Sequence, residues 1–174
     1  DTMKVDSIHL ALDEVFYDDL VTDEASKKLG LTNADWLIRV VNRTHNHLAQ
    51  RGVRTWLWAD CLDPGQNGRH FELSGPQMLE KLPQDLILHD WKYNAAGPFT
   101  SIKMFKDAGF TTVSGSWWRI SNVSSLIGET WRYGADGFIG TSWGSSDPSS
   151  ISAELTTAMS LGAYLSWSPQ YCDH

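Results

Sequence analysis

The chain has 174 residues, the usual size of one globular domain and enough to bury a sizeable core, so a single domain over residues 1–174 is expected. Hydrophobic residues make up 41% and charged residues 20%, a water-soluble composition too polar for a membrane partner or span. The formal net charge of -7 argues against a nucleic-acid partner, because phosphate binding relies on clustered Lys and Arg.

Strand-like and helix-like segments alternate, the pattern of βα units around a parallel sheet. The first strand spans residues 7–12, an apolar run that stops at Asp13-Glu14. Residues 33–51 read as a helix, with Trp36, Leu37, Val40, Val41 and Leu48 at helical spacing, Asn33 as N-cap and Gly52 closing it. Residues 53–59, rich in tryptophan and β-branched side chains, make the second strand. A polar loop over 60–74 follows, with turns at Pro64 and Gly65, and then a short helix over 77–82. The third strand, 85–89, ends in Asp90-Trp91-Lys92-Tyr93, and the helix after it covers 100–108 with Gly109 as C-cap. The fourth strand, 111–114, ends in Gly115-Ser116-Trp117-Trp118, and residues 123–133 supply its helix. A fifth strand over 137–141 leads to Ser142-Trp143-Gly144, and an amphipathic helix over 149–165 opens after Pro148 and a serine pair.

Nine tryptophans are several times the usual number for this length, and their placement matters more than their count. Each strand ends in a polar or aromatic cluster: Asp13-Glu14, Trp58 with Asp60, Asp90-Trp91 with Tyr93, Trp117-Trp118, and Trp143. Sites in parallel α/β folds form at the carboxyl ends of the strands, so these clusters are expected to share one mouth. Large aromatics also fill cores, and for any single tryptophan that role is as good an account. A carboxylate pair with an aromatic-lined cleft suits glycosidic bond cleavage. One acid protonates the leaving oxygen, and a second group stabilises the oxocarbenium-like transition state. Aromatic faces stack on the apolar faces of sugar rings. Asp13 and Glu14 are adjacent, so in a regular strand they point to opposite faces, with His9, Ala11 and Asp13 sharing one.

The two cysteines, Cys61 and Cys172, indicate neither a disulfide framework nor a CxxC metal site. The triplets Asn42-Arg43-Thr44 and Asn122-Val123-Ser124 match the glycosylation sequon and leave the compartment open. Residues 1–6 are polar and lack the basic-then-apolar order of a signal segment.

The run Ile8-His9-Leu10-Ala11-Leu12-Asp13-Glu14-Val15 resembles the His-x-Gly-x-Asp-Glu signature at the end of the fourth barrel strand in glycoside hydrolase family 20, the β-N-acetylhexosaminidases. Leu86-Ile87-Leu88-His89-Asp90-Trp91-Lys92-Tyr93 and Ser101-Ile102-Lys103-Met104-Phe105-Lys106-Asp107-Ala108-Gly109-Phe110 resemble strand six and helix six of bacterial family-20-like proteins. The resemblance implies the C-terminal half, strands four to eight, of a (β/α)8 barrel acting by substrate-assisted catalysis, with no cofactor and no metal. Asp13 would orient the 2-acetamido group, and Glu14, its pKa raised by a partly apolar mouth, would be the general acid and then the base. His9 would support Asp13. Trp58, Trp91 and Trp143 would wall the pocket, with Asp60, Asp90, Tyr93, Trp117 and Trp118 as further contacts. The chain has Ala11 where the signature has glycine. It has Trp117-Trp118-Arg119 and Trp143-Gly144-Ser145 where the family carries Tyr-x-Asp and Trp-x-Glu.

A full barrel takes about 250 residues, so by this alignment strands one to three precede Asp1. An open half-sheet is expected to be covered by that N-terminal half or by another copy, and the isolated chain to turn over weakly or not at all. One rival is a carbohydrate-binding module that grips a glycan without cleaving it. Another is a metal enzyme built from His45, His47, His70, His89 and the acids of Asp18-Asp19; its weakness is that His45 and His47, two apart on a helix, face different directions.

Overall fold

The computed structural model of the chain describes residues 4–15, 24–94, 96–143 and 147–172. Five strands, β1 (Ser7–His9), β2 (Arg54–Trp58), β3 (Ile87–Trp91), β4 (Thr111–Ser116) and β5 (Gly137–Gly140), form one parallel sheet in the order β1-β2-β3-β4-β5. Sequential order in a parallel sheet requires a crossover between neighbours, and the helices supply it. They are α1 (Glu24–Lys28), α2 (Asn33–Ala49), α3 (Gly75–Leu79), α4 (Thr100–Asp107), α5 (Ile120–Arg132), α6 (Pro148–Leu155) and α7 (Gly162–Trp167). The α/β class read from the alternation is therefore present. No helix among the described residues is long and apolar enough to cross a membrane.

The chain divides into two compact units, Asp1–Leu88 with Ala108–Phe110, and His89–Asp107 with Thr111–His174. In the first, β1 and β2 pair in register Ser7↔Arg54, Ile8↔Thr55 and His9↔Trp56. Helix α2 covers β2, because Ala34, Leu37, Val41, His45 and Leu48 fall on one stripe and are buried. Its N-cap is Thr32, one residue before the expected Asn33. The Thr32 hydroxyl accepts the Asp35 N–H at 3.1 Å, and Asp35 accepts the Thr32 N–H at 3.1 Å, a reciprocal box that Asn33 could not form here. Glu72 adds to it by accepting the N–H groups of Asn33 and Ala34 at 3.2 and 3.1 Å. His45 is a core residue of this stripe, its Nδ1 3.2 Å from Thr55 Oγ1 and its Nε2 3.1 Å from Asp85 Oδ1.

In the second unit β4 and β5 pair from Val113↔Gly137 to Ser116↔Gly140. Helix α5 packs on them through two apolar clusters. One joins Val123, Ile127, Leu165 and Cys172, and the other joins Phe99, Ile102 and Leu126; Phe138 lies against both.

Several boundaries differ from the sequence reading. β1 ends at His9, three residues early, because Ala11, Leu12 and Glu14 take left-handed φ values of 60, 66 and 55°, which no pleated strand accommodates. The expected alternation that put His9, Ala11 and Asp13 on one face therefore fails beyond His9. Helix α3 starts at Gly75, earlier than residue 77, because Gln77 accepts the Ser74 N–H at 2.9 Å and caps the turn. β3 runs on through Asp90 and Trp91, β4 runs on through Ser116, and α5 begins at Ile120. The C-terminal helix is not uniform: a π-helical stretch, Thr156–Leu161, separates α6 from α7. The loop over 60–74 contains two 3-10 turns, Asp60–Leu62 and Asn67–His70, with Asp60, Cys61, Leu62, Asp63 and Asn67 buried.

Candidate functional site

The first unit carries His9, Asp13, Glu14, Trp58 and Asp60 around the end of β1. The ladder to β2 continues past the formal strand, with Leu10 N–H donating to Trp56 O at 2.8 Å and Trp58 N–H to Ala11 O at 3.1 Å. The left-handed turn that begins at Ala11 therefore stays bonded to β2 while it carries Asp13 and Glu14 out of the strand. Left-handed backbone costs an L-residue about 1–2 kcal/mol, and such strain gathers at functional sites. Ala11, at φ 60°, occupies the position that the resembled signature gives to glycine.

Asp60 anchors this turn from below. It is fully buried, and its Oδ2 accepts the Glu14 backbone N–H at 2.8 Å and the Asn67 Nδ2–H at 2.8 Å. Among the described residues its Oδ1 has no hydrogen-bond partner. Asp60, expected as a sugar contact, holds the backbone of Glu14 through Oδ2. The side chain of Glu14 is exposed, and that of Asp13 is half-buried. Burial, with Asp60 the next cause, pushes the neighbouring Cys61 thiol far above its ordinary range, so Cys61 stays a neutral thiol.

His9 packs its ring 4.9 Å from that of Trp58 and 6.4 Å from that of Trp56. Its Nδ1 accepts the Ala11 N–H at 3.0 Å, which leaves Nε2 to carry the proton of the neutral ring. Desolvation between the indoles lowers the His9 pKa, and the Asp13 charge opposes that shift without cancelling it. With its pKa lowered, His9 is neutral at pH 7 and is not a counter-ion to Asp13.

The second unit carries Asp90, Trp91, Tyr93, Trp117, Trp118 and Trp143, and most of these rings touch. Centroid separations are 4.8 Å for Trp91–Tyr93, 5.8 Å for Tyr93–Trp117 and 6.1 Å for Trp117–Trp118. The Trp143 indole N–H donates to the Tyr93 hydroxyl at 2.5 Å, and Thr141 Oγ1, which donates to Ser116 O at 2.7 Å, lies 3.1 Å from that hydroxyl. Trp118 and Trp143 are exposed, and Trp91, Tyr93 and Trp117 are half-buried, so the rings form a cradle open to solvent. Asp90 behaves differently. It is fully buried, pairs with Lys92 Nζ at 2.9 Å and accepts the Ser101 hydroxyl at 2.7 Å. Its carboxylate is engaged inside the unit.

Three further residues shape the cradle. Lys92, 7% exposed and one residue past β3, is the partner of Asp90; its N–H donates to Gly115 O at 2.9 Å, so the ladder continues and the Asp-x-Lys spacing keeps both on one face, a signal present in the sequence. Asn122, fully buried, donates through Nδ2 to the carbonyls of Lys92 and Asn94, both at 2.7 Å, and accepts the Trp117 N–H at 3.1 Å. Its amide is thus closed to glycosylation in the folded chain, whatever the sequon suggests. Glu154 of α6 accepts the Trp117 indole N–H at 3.1 Å and the Ser142 hydroxyl at 2.8 Å, and nothing in the helix pattern marks it.

Two surface cavities of about 530 and 400 Å³ flank Trp131 in the second unit and are lined by none of the candidate residues. Among the described residues no three His, Cys, Asp or Glu side chains are grouped to hold a metal. Asp18, Asp19, Gly144 and Ser145 lie outside the described residues. No protein-family model matches the sequence, and no curated protein matches it.

Proposed function

We propose that this chain is the strand-four-to-eight half of a (β/α)8-barrel glycosidase of the β-N-acetylhexosaminidase type, acting on terminal N-acetylhexosamine. Asp13 orients the 2-acetamido group, whose carbonyl oxygen attacks the anomeric carbon and closes an oxazolinium ring. Glu14 gives its proton to the leaving oxygen as the glycosidic bond breaks. It then takes a proton from the water that reopens the ring, which returns the acid to its starting state. In the first unit His9 supports Asp13 beside Trp58; in the second, Trp91, Tyr93, Trp117, Trp118 and Trp143 offer the faces on which a sugar stacks.

The observation that carries the carbohydrate reading is the open cradle of touching aromatic rings, with the Trp143 indole pinned on the Tyr93 hydroxyl. Rings already in contact have little rotamer freedom left to lose when a sugar stacks on them. Support for the catalytic part is the strained turn that holds Asp13 and Glu14 at the place of the resembled signature. Against it stand the exposed side chain of Glu14 and the two departures after β4 and β5. These favour, as a second reading, a module that binds the same sugar without cleaving it.

The test is Glu14→Gln in the full chain, assayed on 4-nitrophenyl N-acetyl-β-glucosaminide and by tryptophan quenching with N-acetylglucosamine oligomers. Loss of a general acid lowers kcat by about 10²–10⁴ and leaves binding in place. Sugar binding with no hydrolysis by the parent protein selects the binding module. Absence of both refutes the carbohydrate reading.

A further inference from the structure

The second unit contains a carboxylate that the proposed roles leave unused, Glu154, 7% exposed on α6. Acids are seldom so buried unless they are paired or hydrogen-bonded. Its Oε2 accepts the Trp117 indole N–H at 3.1 Å and the Ser142 hydroxyl at 2.8 Å. Trp117 follows β4 and Ser142 follows β5, so one carboxylate on a helix ties together the two chain segments that bear Trp117, Trp118 and Trp143.

The backbone explains how a helix residue comes this close. A Cβ on Gly140, the last residue of β5, would lie 2.9 Å from Ala158 Cβ and 3.1 Å from Ala158 O. Glycine and alanine therefore let the helix seat directly on the end of the strand. Ala158 belongs to the π-helical stretch that begins two residues after Glu154. A π turn inserts a residue into the helical register, changes which side chains face the sheet, and recurs at functional sites.

We infer that Glu154 is the positioning residue of the aromatic cradle: it sets the orientation of the Trp117 indole and the Ser142 segment against which a sugar ring stacks. The inference rests on the carbohydrate reading above for what the cradle binds, though not for the clamp itself. A charge-assisted bond to each partner holds ring and loop in one arrangement before ligand arrives.

The experiment measures clamp and binding separately. Indole N–H resonances of the full chain are recorded by ¹H–¹⁵N NMR, with the Trp117 signal assigned by its loss in Trp117→Phe. Glu154→Leu fills the site without an acceptor, Glu154→Gln keeps an acceptor oxygen without the charge, and Ser142→Ala removes only the second donor. Glu154→Leu is expected to move the Trp117 indole resonance and to leave the Trp36 and Trp56 resonances in place. It should weaken binding of the β-1,4 trimer of N-acetylglucosamine about tenfold, as one lost orienting contact of about 1.4 kcal/mol does. Glu154→Gln should restore most of both. An unmoved Trp117 resonance in Glu154→Leu overturns the clamp. So does a moved resonance with parent-like trimer affinity. Should Glu154→Leu unfold, Glu154→Gln and Ser142→Ala decide by the same two readouts. A parent protein that binds no trimer while its Trp117 resonance still follows Glu154 refutes the carbohydrate reading and the sugar-orienting role, and leaves the contact as a structural one.

Discussion

Replacing Asp60 by alanine removes the acceptor of two hydrogen bonds at 2.8 Å and leaves the Glu14 N–H and the Asn67 amide unpaired. Bonds to a charged acceptor contribute about 1.5–3 kcal/mol each. Part of that is offset, because a fully buried carboxylate whose second oxygen lacks a hydrogen bond carries a desolvation cost that alanine relieves. The net loss expected is about 2–4 kcal/mol, since partners left buried and unpaired outweigh that relief. For a chain of this length about 1 kcal/mol corresponds to 2–4 °C, so the melting temperature should fall by about 5–15 °C. Asp60→Asn, which keeps one acceptor oxygen, should lose roughly half as much. Circular dichroism melts give the temperatures, and urea midpoints at unchanged slope confirm that stability is what changed. A melt of Asp60→Ala within about 2 °C of the parent, less than one ordinary lost hydrogen bond produces, would refute the role assigned to Asp60.

His9 should titrate below its ordinary value of 6.5, measured by NMR of the ring protons. Because its folded pKa is the lower one, its contribution to stability is complete above about pH 6.5 and is lost as pH falls through the folded pKa, and His9→Asn should flatten that slope. A His9 midpoint above 6.5 would reverse the assigned balance of burial over the Asp13 charge. Ala11→Gly should raise stability by about 0.5–1 kcal/mol, the relief of left-handed strain less the entropy glycine adds to the unfolded chain, and destabilisation would mean that φ at position 11 is not left-handed. Gly75→Ala would put a Cβ 2.0 Å from the Leu62 carbonyl oxygen, so its urea midpoint should drop by the equivalent of about 3 kcal/mol, and parent-like unfolding would disprove that contact.

Much of this fold is a consequence of pattern. Of the residues read at helical spacing, Leu37, Val41 and Leu48 are buried on one stripe, so α2 is legible without coordinates. The order of strand and helix signals likewise implies a parallel sheet. Gly52 and Gly109, placed as helix ends, take positive φ of 68 and 85°. These are local facts, because propensity and capping act over a few residues. The pairing of Asp90 with Lys92, two residues apart across the end of β3, also has a local signal in the spacing.

Local pattern thus dictates the α/β class, most of the helices and the aromatic character of the strand ends. Only tertiary structure decided that β1 stops at His9, that Asp60 holds the Glu14 backbone from 46 residues away, and that Glu154 reaches back 37 residues to Trp117. The physical reason is that a buried polar atom must find its partner wherever the packed chain puts one. Its choice depends on close approaches such as Gly140 on Ala158, which no local spacing encodes.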